Sequence, residues 1–257
     1  SKHFSARGGV YEHLADTHPE SSGGPDELIL FEAAGLASRY PYEPAGNFRC
    51  PVQEPSPLYQ RDLLDIITSA PHPEKGLELL RRSGFLERYW PEIHGLCSVE
   101  HTKDYHPEGD AWRHTLETFS HRKSHEPLLS LALLLHDSGK PEAVENEGRR
   151  FDRHSELGEK TARSFLKRLA YPSSTVEDVC FLVRNHMLPS ALPRIPPHSI
   201  ERTLLHPLFP TLLELYRCDE LSTFRGPEGY YEACAAYKAY LKNARNPYRG
   251  NDGRKRP

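Results

Sequence analysis

The stretch PLLSLALLLHD, residues 127–137, decides the fold of this chain. It is apolar on every side, as a central buried helix must be. It then ends on His136 and Asp137, an imidazole and a carboxylate placed where the chain leaves the core. Such groups are costly to bury unless they are paired or hold a cation. The pair alone reads equally well as a core histidine hydrogen-bonded to the acid beside it.

Working outward, the flanking segments carry helical periodicity almost without a break from Leu58 onward. LYQRDLLDIITS sets Leu63, Ile66 and Ile67 on one face, and PEKGLELLRRSG sets Leu77, Leu79 and Leu80 before Gly84, which suits a C-cap. AWRHTLETFSH aligns Trp112, Leu116 and Phe119. ELGEKTARSFLKRL does so for Leu157, Phe165, Leu166 and Leu169, and TVEDVCFLVRNHM for Val176, Val179, Leu182 and Val183. HPLFPTLLELYRCDEL presents Leu208, Leu212 and Leu215, and a last amphipathic helix is expected over roughly 227–243. Strand-like alternation is almost absent, so the predicted class is all-α. Residues 1–57 differ. They hold one helix-like run, DELILFEAAGLASRY, with Pro25 suited to its first turn, and then the proline-rich PYEPAGNFRCPVQEPSP, which reads as an extended linker. The expected organisation is an extension and linker over 1–57, a helical domain over 58–243 and a basic, disordered tail over 244–257.

Composition narrows the function. Of 257 residues, 37% are hydrophobic and the mean hydropathy is −0.67, with no run near the roughly 20 apolar residues that span a bilayer. No apolar leader stands near the N-terminus, and a cytoplasmic location without a membrane partner is expected. A net charge of −3 argues against holding long nucleic acid by bulk charge, and leaves an end or a short segment as the nucleic-acid target. The five cysteines are scattered without a CxxC pair, which disfavours a zinc ribbon, a disulfide framework or a disulfide-linked partner. Neither a G-x-S-x-G elbow nor a P-loop is present.

Histidine is the unusual count, at 15. His114 lies on the helix before the central one, and His154 starts the helix after it. His186 follows Val183 by three residues and Val179 by seven, and so shares their apolar face. Asp219 follows Leu215 by four and Leu212 by seven, which sets an acid on a buried stripe. Helices distant in sequence thus each direct an imidazole or carboxylate inward. Nitrogen and oxygen donors without thiolates suit Fe, Mn, Ni, Co or Zn.

The order His114, His136–Asp137, Asp219 resembles the signature of the HD superfamily of metal-dependent phosphohydrolases. HPEGDAWRHTLETF (106–119), LALLLHDSGKP (131–141), RFDRHSELGEKTARSFLKRL (150–169) and VEDVCFLVRNHMLP (176–189) resemble the HD domain of bacterial CCA-adding tRNA nucleotidyltransferases and poly(A)-polymerase-like proteins. GLELLRRSGFLERYWPEI (76–93) resembles the segment preceding that domain. The likeness covers roughly 57–242. Residues 1–57 show no nucleotidyltransferase motif, so CCA addition is not expected and a stand-alone HD module is.

The resemblance implies an HD-domain helical bundle in which His114, His136, Asp137 and Asp219 hold one divalent transition metal. His154 and His186 match the histidines that hold a second ion in the dinuclear branch, with Asp137 best able to bridge. It implies hydrolysis of a phosphomonoester or 2′,3′-cyclic phosphodiester on a nucleotide or RNA end by metal-activated water. Lys140 matches the HDxGK lysine and could offset phosphate charge. His106, Glu108 and Asp110 could line the pocket or protonate the leaving group, although a structural turn accounts equally for Glu108 and Asp110. Arg184 and Arg194 could hold a second phosphate. A di-iron oxygenase of the same superfamily and a non-catalytic module that binds nucleic acid or a partner are the competing functions. Oligomeric state has no signature here.

Overall fold

A computed structural model describes residues 25–41, 44, 48–99, 110–143, 151, 153–223 and 226–244. Among them the regular structure is helical, and no extended strand forms. The order is α1 (Pro25–Arg39), α2 (Pro57–Thr68), α3 (Pro73–Arg82), α4 (Phe85–Tyr89), α5 (Pro91–His94), α6 (Ala111–Ser120), α7 (Pro127–Leu135), α8 (His154–Arg168), α9 (Ser173–Asn185), α10 (Leu188–Ala191), α11 (Glu201–Leu204), α12 (Phe209–Leu221) and α13 (Glu228–Ala244). Short 3₁₀ turns follow α5 and the His136–Gly139 turn. None of these helices is long and apolar enough to cross a membrane.

The boundaries follow local chemistry. Pro25, Pro57, Pro73, Pro91 and Pro127 each open a helix, where a missing N–H costs nothing. Ser56 caps α2 by accepting the Tyr59 N–H at 3.3 Å, and Asp110 caps α6 by accepting that of Arg113 at 2.7 Å. Gly84 takes φ +83° just past α3, the left-handed position its place in the sequence predicts.

Helix α7 is the axis. Leu129, Leu131, Ala132, Leu133, Leu134 and Leu135 are all buried, and α7 is packed by α9, α12, α6 and α2. Helices α8 and α9 pair along their length. The core continues into an aromatic cluster of Phe31, Tyr59, Phe85, Tyr89, Trp90 and Phe165. Helix α1, placed by the sequence in the extension, buries Leu30, Phe31 and Ala34 in this same core and packs on α3. The proline-rich segment is tied down as well. Tyr89 Oη donates to the Pro51 carbonyl at 2.9 Å, and Gln60 Nε2 to that of Pro55 at 2.7 Å. Helix α12 starts at Phe209, later than the apolar pattern alone suggests, because the His206–Leu208 turn precedes it. Of the expected basic tail over 244–257, Ala244 ends α13 and the rest lies outside the described residues.

Candidate metal centre

Five helix ends and faces converge around Asp137. His114 belongs to the stripe Ala111, His114, Thr115, Thr118, all buried, so α6 must carry its imidazole inward. His136 ends α7, its N–H still bonded to the Ala132 carbonyl at 2.8 Å, and Asp137 begins the turn that follows. His154 opens α8, His186 closes α9, and Asp219 sits near the end of α12. His114, His136, Asp137 and His186 are at most 2% exposed. The open edge is formed by His154, 13% exposed, and Asp219, 20% exposed.

Three of the imidazoles are oriented in one way. Nδ1 of His136, His154 and His186 faces the carbonyl three residues earlier, that of Leu133, Phe151 and Val183, at 2.8, 2.9 and 2.7 Å. A carbonyl only accepts, so Nδ1 carries the proton. In the neutral ring Nε2 then presents a lone pair to the cluster. This is the outer-shell arrangement that holds metal-binding histidines in one tautomer.

Asp137 divides the cluster between its two oxygens. Oδ2 lies 3.4 Å from His136 Nε2 and 3.9 Å from His114 Nε2. Oδ1 lies 3.7 Å from His154 Nε2 and 4.0 Å from His186 Nε2. Asp219 Oδ1 lies 2.9 Å from His114 Nε2 and 3.9 Å from His136 Nε2. Two donor groups share Asp137: His114, His136 and Asp137 on one side, Asp137, His154 and His186 on the other.

Both groups fit a cation. His136 Nε2 is buried without a hydrogen bond, a condition that costs about 1–3 kcal/mol when nothing else satisfies it. His154 Nε2 and His186 Nε2 approach to 3.0 Å. With both Nδ1 protons already committed, these lone pairs need a proton or a cation between them. Protonation is opposed, because burial, and then His154 and His136, push the His186 imidazole down to about 3. Burial also lowers that of His136 against the pull of Asp137. Burial disfavours the charged form of Asp137, but Lys140, His136 and His114 outweigh it and hold the carboxyl well below its usual range. Asp219 is lowered in the same way, with His114 overcoming burial. Neutral imidazoles and ionised carboxylates are the state in which these groups bind metals.

Lys140 is buried, with Nζ 2.6 Å from Asp137 Oδ2 and 5.5 Å above the Phe151 ring. One ammonium against two carboxylates leaves the cluster negative. Arg184 and Arg194 stand apart from it. Arg184 pairs with Glu156 of α8 at 2.8 Å, and the exposed Arg194 donates to the Ser190 carbonyl at 3.0 Å. Asp110 serves as the α6 cap, so its carboxylate is committed to the backbone. His106 and Glu108 lie outside the described residues. The carbonyls that orient the imidazoles leave no mark in a sequence. The recurrent place of a histidine at a helix end was the one available signal.

Residues 111–222 match the HD domain family, a span that contains all six donors. The chain is 34% identical over 186 residues to the CC-adding tRNA nucleotidyltransferase of Thermus thermophilus, covering 68% of this chain and 41% of that protein. It is 32% identical over 171 residues to the multifunctional CCA protein of Halorhodospira halophila, covering 65% and 38%. With that of Legionella pneumophila the figures are 28% over 170 residues, 65% and 38%. The chain thus spans about two fifths of the length of these relatives. Residues 111–222, the part of the chain that matches the HD domain family, are those that bring an imidazole–carboxylate cluster to the end of a buried helix.

Proposed function

We propose that the cluster holds two divalent transition-metal ions, from among Fe, Mn, Ni, Co and Zn, and that the protein hydrolyses a phosphomonoester or 2′,3′-cyclic phosphodiester on a nucleotide or RNA end. The observation that carries this reading is the division of Asp137, with each carboxylate oxygen turned to a different set of imidazoles. His114, His136, Asp137 and Asp219 would hold one ion, and Asp137, His154 and His186 the other. Ions held there supply Lewis acidity, which acidifies water and polarises a phosphoryl oxygen.

The chain's own groups do the rest. The Leu133, Phe151 and Val183 carbonyls keep Nε2 of three imidazoles unprotonated and aimed inward. The edge between His154 and Asp219 is where a phosphate can approach. Lys140 offsets phosphate charge from beside Asp137. His106 and Glu108 are candidates to protonate the leaving oxygen. Arg194 is free to meet a second phosphate from the surface, whereas Arg184 must first exchange Glu156. An RNA end is favoured as substrate because the name of the Thermus thermophilus relative, a CC-adding tRNA nucleotidyltransferase, ties that protein to tRNA.

The test is a panel of phosphomonoesters and 2′,3′-cyclic phosphodiesters, with Mn, Ni, Co, Mg and Fe, on the protein and on Asp137→Ala. Metal-dependent turnover that Asp137→Ala lacks is expected. Oxygen consumption by the iron-loaded protein without phosphoester cleavage would replace the hydrolase with the di-iron oxygenase. Ligand binding indifferent to metal removal, without either activity, would leave a binding module.

A further inference from the structure

Two glycines outside the donor set lie where the halves of the cluster meet. Gly139 has φ −89° and ψ −8°, a conformation open to any residue. Its lack of a side chain answers to space. A Cβ there would stand 2.1 Å from the His154 carbonyl oxygen, 2.2 Å from Gly158 N and 2.9 Å from Gly158 Cα. All three are backbone atoms, so no rotamer change relieves the clash. Gly158 sits inside α8, where glycine costs about 1 kcal/mol relative to alanine. A Cβ on it would meet Val183 Cγ1 at 3.2 Å, Gly139 N at 3.3 Å and the His136 carbonyl oxygen at 3.4 Å. Ser138 Oγ, bonded to the Leu135 carbonyl at 2.7 Å, reaches the Gly158 carbonyl at 3.4 Å and closes the same seam.

This seam joins the turn carrying Asp137 to the first turns of the helix carrying His154. His114 and Asp219 come from helices outside the seam, and His136 meets it only through its carbonyl oxygen. We propose that Gly139 and Gly158 are positioning residues whose backbone contact sets the span between Asp137 Oδ1 and the His154–His186 pair, and so determines whether a second divalent cation is held. The proposal rests on the two-cation reading above. A side chain at either glycine pushes α8 outward and widens the 3.7 Å and 4.0 Å separations, while the His114–His136–Asp219 side keeps its geometry.

The experiment is titration of the metal-free full chain with Mn²⁺, following stoichiometry by calorimetry and the spin-coupled pair by electron paramagnetic resonance. The wild type should take two ions and show a coupled signal. Gly158→Ala, the milder change, should keep its helical circular dichroism and its first site. It should bind the second Mn²⁺ about 10–100-fold more weakly, the cost of disturbing the support of a ligand, and give an isolated-ion signal. Gly139→Ala should lose the second ion entirely or fail to fold, and Gly158→Ala decides in either case. Two ions bound by Gly158→Ala with wild-type affinity and coupling would overturn the proposal and leave the two-cation reading standing. A wild type that takes one ion or none would overturn both.

Discussion

Helix α8 ends in two different environments. Near its C-terminus Phe165 meets Trp90 edge-on at 5.9 Å, within a chain of rings that runs through Phe85 to Phe31 and Tyr59. There Trp90 Nε1 donates to Gln60 Oε1 at 2.8 Å, and Gln60 in turn donates to the Pro55 carbonyl. About 16 Å away along the helix, His154 opens α8 in a cluster where lone pairs face one another and the buried His136 Nε2 lacks a hydrogen bond. One end is apolar ring packing closed by these bonds and serves stability. The other gathers donors that could hold a cation.

The largest effect should come from the aromatic end. Trp90→Ala should cost about 3–5 kcal/mol in urea unfolding, while the folded fraction still binds metal with wild-type stoichiometry. Loss of metal binding in the folded fraction would break the contrast. Next, saturating divalent metal should stabilise the protein, by about 2.7 kcal/mol at a hundred times Kd. Asp137→Ala should melt at the same temperature with or without metal. Stabilisation of Asp137→Ala equal to that of the wild type would place the ion elsewhere.

Gln60→Leu sharpens the same comparison at the aromatic end. It leaves the buried Trp90 N–H without its acceptor and should cost about 1–3 kcal/mol, without altering metal affinity. The smallest effect is a pH slope in metal-free protein. His186 is held down to about 3 and His136 is lowered too, so below about 6.5 the unfolded chain takes up protons that the folded chain refuses. Stability should therefore fall as pH drops from about 6.5 toward 3, by about 1.4 kcal/mol per pH unit for each such proton. The lowered carboxyls of Asp137 and Asp219 extend the loss below their ordinary range. Saturating metal at pH 6 and above should restore the stability. A flat profile between pH 6.5 and 4 would contradict neutral imidazoles in the fold.

Much of this was legible because helical burial writes itself into residue spacing. The run from Leu128 to Leu135 marks the axis, and the offsets of His186 from Val183 and of Asp219 from Leu215 bring each donor to an inner face. What stayed hidden depends on backbone atoms or on pairing across elements. The segment around Pro51 looks like a free linker, yet its carbonyls receive Tyr89 and Arg88. Asp110 looks like a pocket acid and is a helix cap. Arg184 looks like a phosphate ligand, and Glu156 on the adjoining helix already holds it. Gly139 looks like a loop residue, and only the approach of α8 explains it.

The most direct measurement is anomalous X-ray scattering at the manganese absorption edge from crystals grown with Mn²⁺. Two peaks are expected on opposite sides of Asp137, one beside Nε2 of His114 and His136, the other beside Nε2 of His154 and His186. A map without a peak at either place, from protein saturated with the ion, would contradict the metal centre.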